Sequence, residues 1–121
     1  MVDYILLPSN NAEVPSFLLA QVPALRQSSA FARLSETSRC LPGVVCATFA
    51  RYIAELAANV HEREHLSSVM QVVERLATSN ESEIQNLVVT EILENMEDNV
   101  LRTLAPLMGT NCKALYERYV L

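Results

Sequence analysis

From Val44 the apolar positions fall at Val45, Phe49, Tyr52/Ile53, Leu56 and Val60, alternating by three and four residues as on a helix with one buried face. A second phase runs through Leu66, Val69, Met70, Val73, Leu76 and Ala77. It does not continue the first, so the chain is expected to turn or kink between Asn59 and Glu62. A third set, Ile84, Leu87, Val88, Ile92 and Met96, widened by Val89 and Leu93, holds the helical period over 13 residues. That period outweighs the local strand propensity of Leu87-Val88-Val89-Thr90.

Shorter elements flank these three. Pro8, Ser9, Asn10 and Asn11 form a turn cluster, and Asn10 with Glu13 has the spacing of a capping box. Pro15 and Pro23 suit first helical turns, where a missing N–H costs nothing, so two short pieces are expected at about 12–21 and 23–35. Glu36 to Gly43 has no period and reads as a loop. Asn80 with Glu83 repeats the capping spacing, and Asp98 or Asn99 can cap a helix through Leu101, Leu104 and Leu107 that Pro106 ends or kinks. Gly109 fits a left-handed C′ position, and Thr110 or Asn111 then caps a last helix with Leu115, Tyr119 and Tyr116 facing inward. The expected fold is all-α: a compact bundle of six or seven helices in one domain spanning 1–121. Helix starts at Val44 and Glu81 lie 37 residues apart and admit a helix-pair (HEAT-like) arrangement. Two copies fall short of the three or so that a solenoid needs.

Composition agrees. Half of the 121 residues are hydrophobic and 19% are charged, enough apolar surface to offset ordering entropy. Only two glycines occur, where average usage of about 7% gives roughly eight, which disfavours a turn-rich β-fold. The net charge of −5 disfavours a surface that tracks nucleic-acid phosphates. Eight of nine basic residues are arginine, which favours fixed pairing over a loose polybasic patch. Met1-Val2-Asp3 has no positive n-region and the Tyr4 to Leu7 run stops at Pro8, so neither a leader nor a membrane span is expected and the protein is read as cytoplasmic. Cys40, Cys46 and Cys112 make an odd set without a C-x-x-C pair, so buried thiols are expected rather than a disulfide framework or zinc knuckle.

Residues 61–65, His-Glu-Arg-Glu-His, match H-E-x-x-H, in which two histidines one turn apart hold zinc and the glutamate serves as general base. His61, Glu62 and His65 would be those groups in a small zinc-dependent hydrolase. Such enzymes resemble one another in having uncharged residues at the two central positions, whereas here Arg63 and Glu64 stand there. Five polar residues in a row suit a solvated helix start, with Glu62 and Glu64 favourable to the helix dipole. No G-x-S-x-G or phosphate loop occurs, and no cofactor is indicated.

Residues 81–98 hold six carboxylates, Glu81, Glu83, Glu91, Glu94, Glu97 and Asp98, and no basic residue. Glu91, Glu94 and Asp98 at i, i+3 and i+7 would form one stripe opposite Leu87, Val88 and Ile92. Arg51, Arg75 or Arg102 could neutralise that stripe within the fold. Otherwise it is a docking surface for a basic protein, whose capture complementary charge accelerates. Glu91, Glu94, Glu97 and Asp98, with Tyr116 and Tyr119 as aromatic anchors, are the expected partner-binding residues.

Leu41-Pro42-Gly43-Val44-Val45, Phe49-Ala50-Arg51-Tyr52-Ile53, Glu83 to Val89, Ile92-Leu93-Glu94, Leu107-Met108-Gly109 and Leu115-Tyr116, in that order, resemble a family of small bacterial all-helical proteins of mostly unassigned function. Some members resemble toxin-immunity proteins. The likeness spans about residues 41–119 and departs at Cys46-Ala47-Thr48, where the family often carries a small-acidic pair. It implies an all-helical fold and transfers no catalytic residue. Together these features point to a non-catalytic protein-binding module, most concretely an immunity protein that neutralises a basic toxin or effector by occlusion. The alternative in the same class is a phage-type inhibitor or decoy with an acidic surface. Against the decoy, residues 1–80 are nearly balanced, with seven acidic and six basic residues.

Overall fold

A computed structural model describes residues 7–121, and residues 4–6 of the Tyr4 to Leu7 run lie outside it. Seven α-helices and no strand are present among the described residues: α1 (Val14–Gln21), α2 (Ser29–Ala32), α3 (Pro42–Ala57), α4 (Arg63–Ala77), α5 (Ser82–Leu87), α6 (Asp98–Leu104) and α7 (Thr110–Leu115). Short 3₁₀ turns at Asn11–Glu13, Pro23–Gln27, Ser38–Cys40, Val60–Glu62 and Ala105–Leu107 join several of them. No helix among the described residues is long and apolar enough to cross a membrane.

α3 is the centre of the bundle, packing against α1, α2, α4 and the segment that follows α5. Its Val45, Cys46, Phe49, Tyr52, Ile53 and Leu56 are buried, in the three-four rhythm of the sequence. Removing each such side chain from water contributes about 1.5–3 kcal/mol. Pro42 takes the first helical position, so α3 starts two residues before Val44 and the expected loop is shorter. The break before α4 falls where the pattern shifts phase: Asn59 caps the 3₁₀ turn by accepting from the His61 N–H at 3.0 Å. α4 then buries Leu66, Val69, Met70, Val72, Val73, Leu76 and Ala77.

The expected second piece at 23–35 is divided. Ser28 Oγ accepts from the Phe31 N–H at 3.2 Å and donates to the Leu25 carbonyl at 2.7 Å, which ends one turn and starts the next. The 13-residue third phase is also not one regular helix. α5 runs on as a π-helical turn over Val88–Leu93, and the Glu94 N–H reaches five residues back to the Val89 carbonyl at 2.9 Å. Ile84, Leu87, Val88, Val89, Ile92, Leu93 and Met96 are nevertheless all buried. The chain leaves the helix at Glu94, so the Glu91/Glu94/Asp98 stripe is broken and Asp98 opens α6 instead.

The caps expected at Asn10, Asn80 and Thr110 or Asn111 do not form, and two helical starts are held instead by carboxylates from distant segments. Asn10 makes no side-chain cap, and Glu13 accepts from the Ser9 N–H at 2.7 Å and the Ser9 hydroxyl at 2.8 Å. Glu83 does not close a box with Asn80 but accepts from the Asn11 N–H at 3.0 Å, tying α5 to the first turn of the described chain. Gly109 is the N-cap of α7 with φ −74°, not a left-handed C′ residue. Neither Thr110 nor Asn111 caps α7. Glu74 on α4 does so, accepting from the Asn111 N–H (3.1 Å), the Asn111 side-chain amide (2.8 Å) and the Cys112 N–H (2.8 Å). This satisfies donors that a helix start leaves orphaned and sets a negative charge at the positive end of the dipole.

Candidate functional site

The His-Glu-Arg-Glu-His segment spans the joint between the 3₁₀ turn and α4. His61 is exposed on the turn, whereas His65 is half-buried on α4 and shares a 2.7 Å hydrogen bond between its Nε2 and the Tyr52 hydroxyl on α3. The two rings meet edge-on, centroids 6.0 Å apart. Burial first, then the nearby Glu62 and Glu55 charges, pushes the Tyr52 hydroxyl above its ordinary pKa, so it is uncharged near neutral pH. In this geometry His65 and Tyr52 pin α4 to α3. Among the described residues no group of three His, Cys, Asp or Glu side chains is arranged to hold a metal ion.

Of the expected partner-binding residues, the fold separates three groups. Glu91 is half-buried and turned toward the start of α3: its carboxyl carbon lies 3.7 Å from where a side chain on Gly43 would begin. Its charge adds to the burial that pushes the Cys46 thiol up to about 12. Glu94 and Glu97 are exposed on the turn between the π-helical segment and α6, and Asp98 is exposed at the first position of α6. Tyr116 is half-buried against the core, and Tyr119, expected to face inward, is 54% exposed with the Arg118 guanidinium 5.2 Å from its ring centroid. Arg75, a candidate neutraliser of the acidic stripe, donates instead to Gln21 Oε1 at 2.7 Å and stands over Phe17.

A groove of about 320 Å3 brings one of these residues together with apolar surface. Ala47, Ala50 and Ala54 of α3 form one wall, Met96 and Val100 the other, with Glu97 and Arg51 at the rim. The alanine spacing, three and four residues on one α3 face, is visible in the sequence and lies opposite the Val45/Phe49/Ile53/Leu56 face, but small side chains there carry no signal for a groove. A separate groove of about 190 Å3 lies between α5 and the C-terminal segment, lined by Gln85, Val89, Leu115 and Tyr119 among others. The two grooves share no lining residue. Glu97 and Tyr119 therefore line different grooves.

The cysteines divide as well. Cys46 and Cys112 are fully buried, and desolvation first, then Glu91 and Glu74 respectively, raises both thiols to about 12. Cys40, expected to be buried, is exposed, its thiol 3.7 Å from the Glu36 carbonyl. Glu74 was absent from the residues singled out by sequence; its partners lie 37 and 38 positions away and leave no local signal.

Fold and surface together define an all-helical domain with shallow grooves open along its helices. The chain belongs to the family described as domain of unknown function DUF7674, whose profile matches residues 15–120. No curated protein and no solved structure matches it.

Proposed function

We propose that the domain is a non-catalytic protein-binding module, most concretely a cytoplasmic immunity protein that neutralises a basic bacterial toxin by occlusion. The observation that carries this reading is the α3–α6 groove, in which the apolar walls of Ala50 and Met96 lie beside Glu97, with Glu94 and Asp98 close to it in the chain. Burial of an apolar centre supplies affinity, and the surrounding carboxylates hasten encounter with a positive surface and disfavour negative ones. None of Glu94, Glu97 and Asp98 is held in an ion pair with another described residue, so their charge is available to a partner.

The test is retention of a partner by tagged protein from its native host. Parent protein retains a basic protein whose capture weakens as salt rises, and Glu94→Lys/Glu97→Lys/Asp98→Lys loses it while keeping its helical circular dichroism. Co-expression with the parent, and not with the triple variant, relieves toxicity of that protein. Equal retention and equal protection by both forms refute the groove as the binding surface.

A further inference from the structure

Charge is unevenly distributed along the chain. Residues 14–54 carry Arg26, Arg33, Arg39 and Arg51 against one carboxylate, Glu36, whereas residues 55–98 carry ten carboxylates against two arginines. The fold brings two of the first group onto one ring. The Arg39 guanidinium lies 5.1 Å and the Arg26 guanidinium 6.0 Å from the centroid of Phe31, which they shield from solvent. The cation–π contacts account for where the stems lie. They do not neutralise two like charges held no more than about 11 Å apart.

Both guanidiniums line a groove of about 330 Å3 between α1 and the 3₁₀ turn before α3. Neither has a carboxylate partner among the described residues. Arg39 Nη2 reaches only the Ala32 carbonyl, at 3.4 Å, and Arg39 Nε is shut off from solvent with no acceptor. Pro15 and Leu19 supply an apolar wall, and the exposed Cys40 thiol sits on the lining. An anionic head would pair with the guanidinium N–H groups that face the groove, since a guanidinium presents paired donors in a planar fork that matches a carboxylate. An apolar tail would cover Leu19. The one hydroxyl there, Ser16, already donates to the Glu13 carbonyl at 3.2 Å, and what favours an amphiphile over a bare anion is the apolar wall beside the arginines.

We propose that this groove binds a small amphiphile with a carboxylate head, the arginines taking the carboxylate and the Pro15/Leu19 wall the chain. It is a site distinct from the α3–α6 groove, with which it shares no lining residue.

Cys40 provides the readout, because it is the exposed thiol and the other two are buried. The full chain is alkylated with iodoacetamide in the presence of octanoate below its micellar concentration, with acetate, inorganic phosphate and octanol as separate arms. Octanoate is expected to slow alkylation of Cys40 about fivefold or more at saturation, while the other three leave it unchanged. Arg26→Gln and Arg39→Gln are each expected to raise the half-protecting octanoate concentration about tenfold, the scale of one charge-assisted hydrogen bond. Backbone amide shifts in the parent protein, mapped to residues 12–19 and 26–40 on octanoate addition, guard against variants that fail to fold. Equal protection by octanol means an apolar patch only, and equal protection by phosphate means a bare anion site. Either result, or no protection and no amide shifts with octanoate, overturns the proposal.

Discussion

Replacing Gly109 with alanine isolates the contact that fastens the C-terminal helix to the bundle. A Cβ at Gly109 would lie 2.5 Å from both Cγ and Cδ of Glu74 and 2.6 Å from its Oε1, inside any real carbon contact. Glu74 is a flexible side chain and can swing away, so steric strain is not the cost. The cost is the cap: two backbone N–H groups and one side-chain amide of α7 lose their acceptor. Loss of a helix N-cap costs about 0.5–2 kcal/mol, and hydrogen bonds to charged groups contribute about 1.5–3 kcal/mol when well buried. The Cys112 N–H bond is part-buried and the two to Asn111 are exposed, so about 2 kcal/mol in all is expected. With an unfolding entropy near 2.1 cal/mol/K per residue over 121 residues, that lowers Tm by about 8 °C, readable by circular dichroism at 222 nm. The decisive comparison is the double-mutant cycle. In a Glu74→Ala background the cap is already gone and φ −74° suits alanine, so Gly109→Ala should change stability by less than about 0.5 kcal/mol. An equal loss in both backgrounds, or a parent-like Tm for Gly109→Ala alone, would refute the cap as the function of this glycine.

Four further outcomes follow from the same geometry. Folded protein should react with one equivalent of thiol reagent near pH 8, at Cys40, and with three in denaturant; fast labelling of Cys46 or Cys112 contradicts their burial. Their thiols rise from about 9 to about 12 on folding, so the stability this contributes is complete below pH 9 and falls away as pH climbs toward 12. Urea titrations across that window should therefore show a decline that Cys46→Ala/Cys112→Ala flattens. The Ser9 amide and hydroxyl hold the Glu13 carboxyl below its ordinary value of 4.5, so its contribution is present above pH 4.5 and is lost as pH drops through the lowered value. A Glu13 side-chain NMR titration at or above 4.5 contradicts the contact. Tyr52→Phe removes the 2.7 Å bond to His65 and should cost about 1 kcal/mol, lowering Tm by about 4 °C; an unchanged Tm means the bond does not tie α3 to α4.

Periodicity located α3, α4 and the apolar face from Ile84 to Met96, because each buries a long amphipathic stretch whose spacing is set by helical geometry alone. The phase shift near Asn59 gave the joint for the same reason. The expected caps do not form because the carboxylates find other donors, one four residues back and others in distant segments. Asn10 and Asn80 have the right local spacing, but Glu13 turned to Ser9 and Glu83 to Asn11. Gly109 was assigned a left-handed turn when the pressure on it is Glu74, 35 positions earlier. The acidic stripe failed at Glu94, where a π-helical turn changed the register that a simple period assumes. The grooves were invisible for a related reason. Arg26, Phe31 and Arg39 meet across three different elements, and Ala47, Ala50 and Ala54 form a groove wall only because Met96 and Val100, far later in the chain, stand opposite them.

The claim that recognition occurs at the α3–α6 groove is tested most directly by photo-crosslinking in the native host. A photoreactive residue at Asn95, on the groove lining, is compared with one at the exposed Gln71 on α4, which lines none of these grooves. Adducts to one basic protein from Asn95, absent from Gln71 and lost on charge reversal at Glu94, Glu97 and Asp98, are the predicted result. Adducts to the same partner from Gln71 and none from Asn95 contradict it.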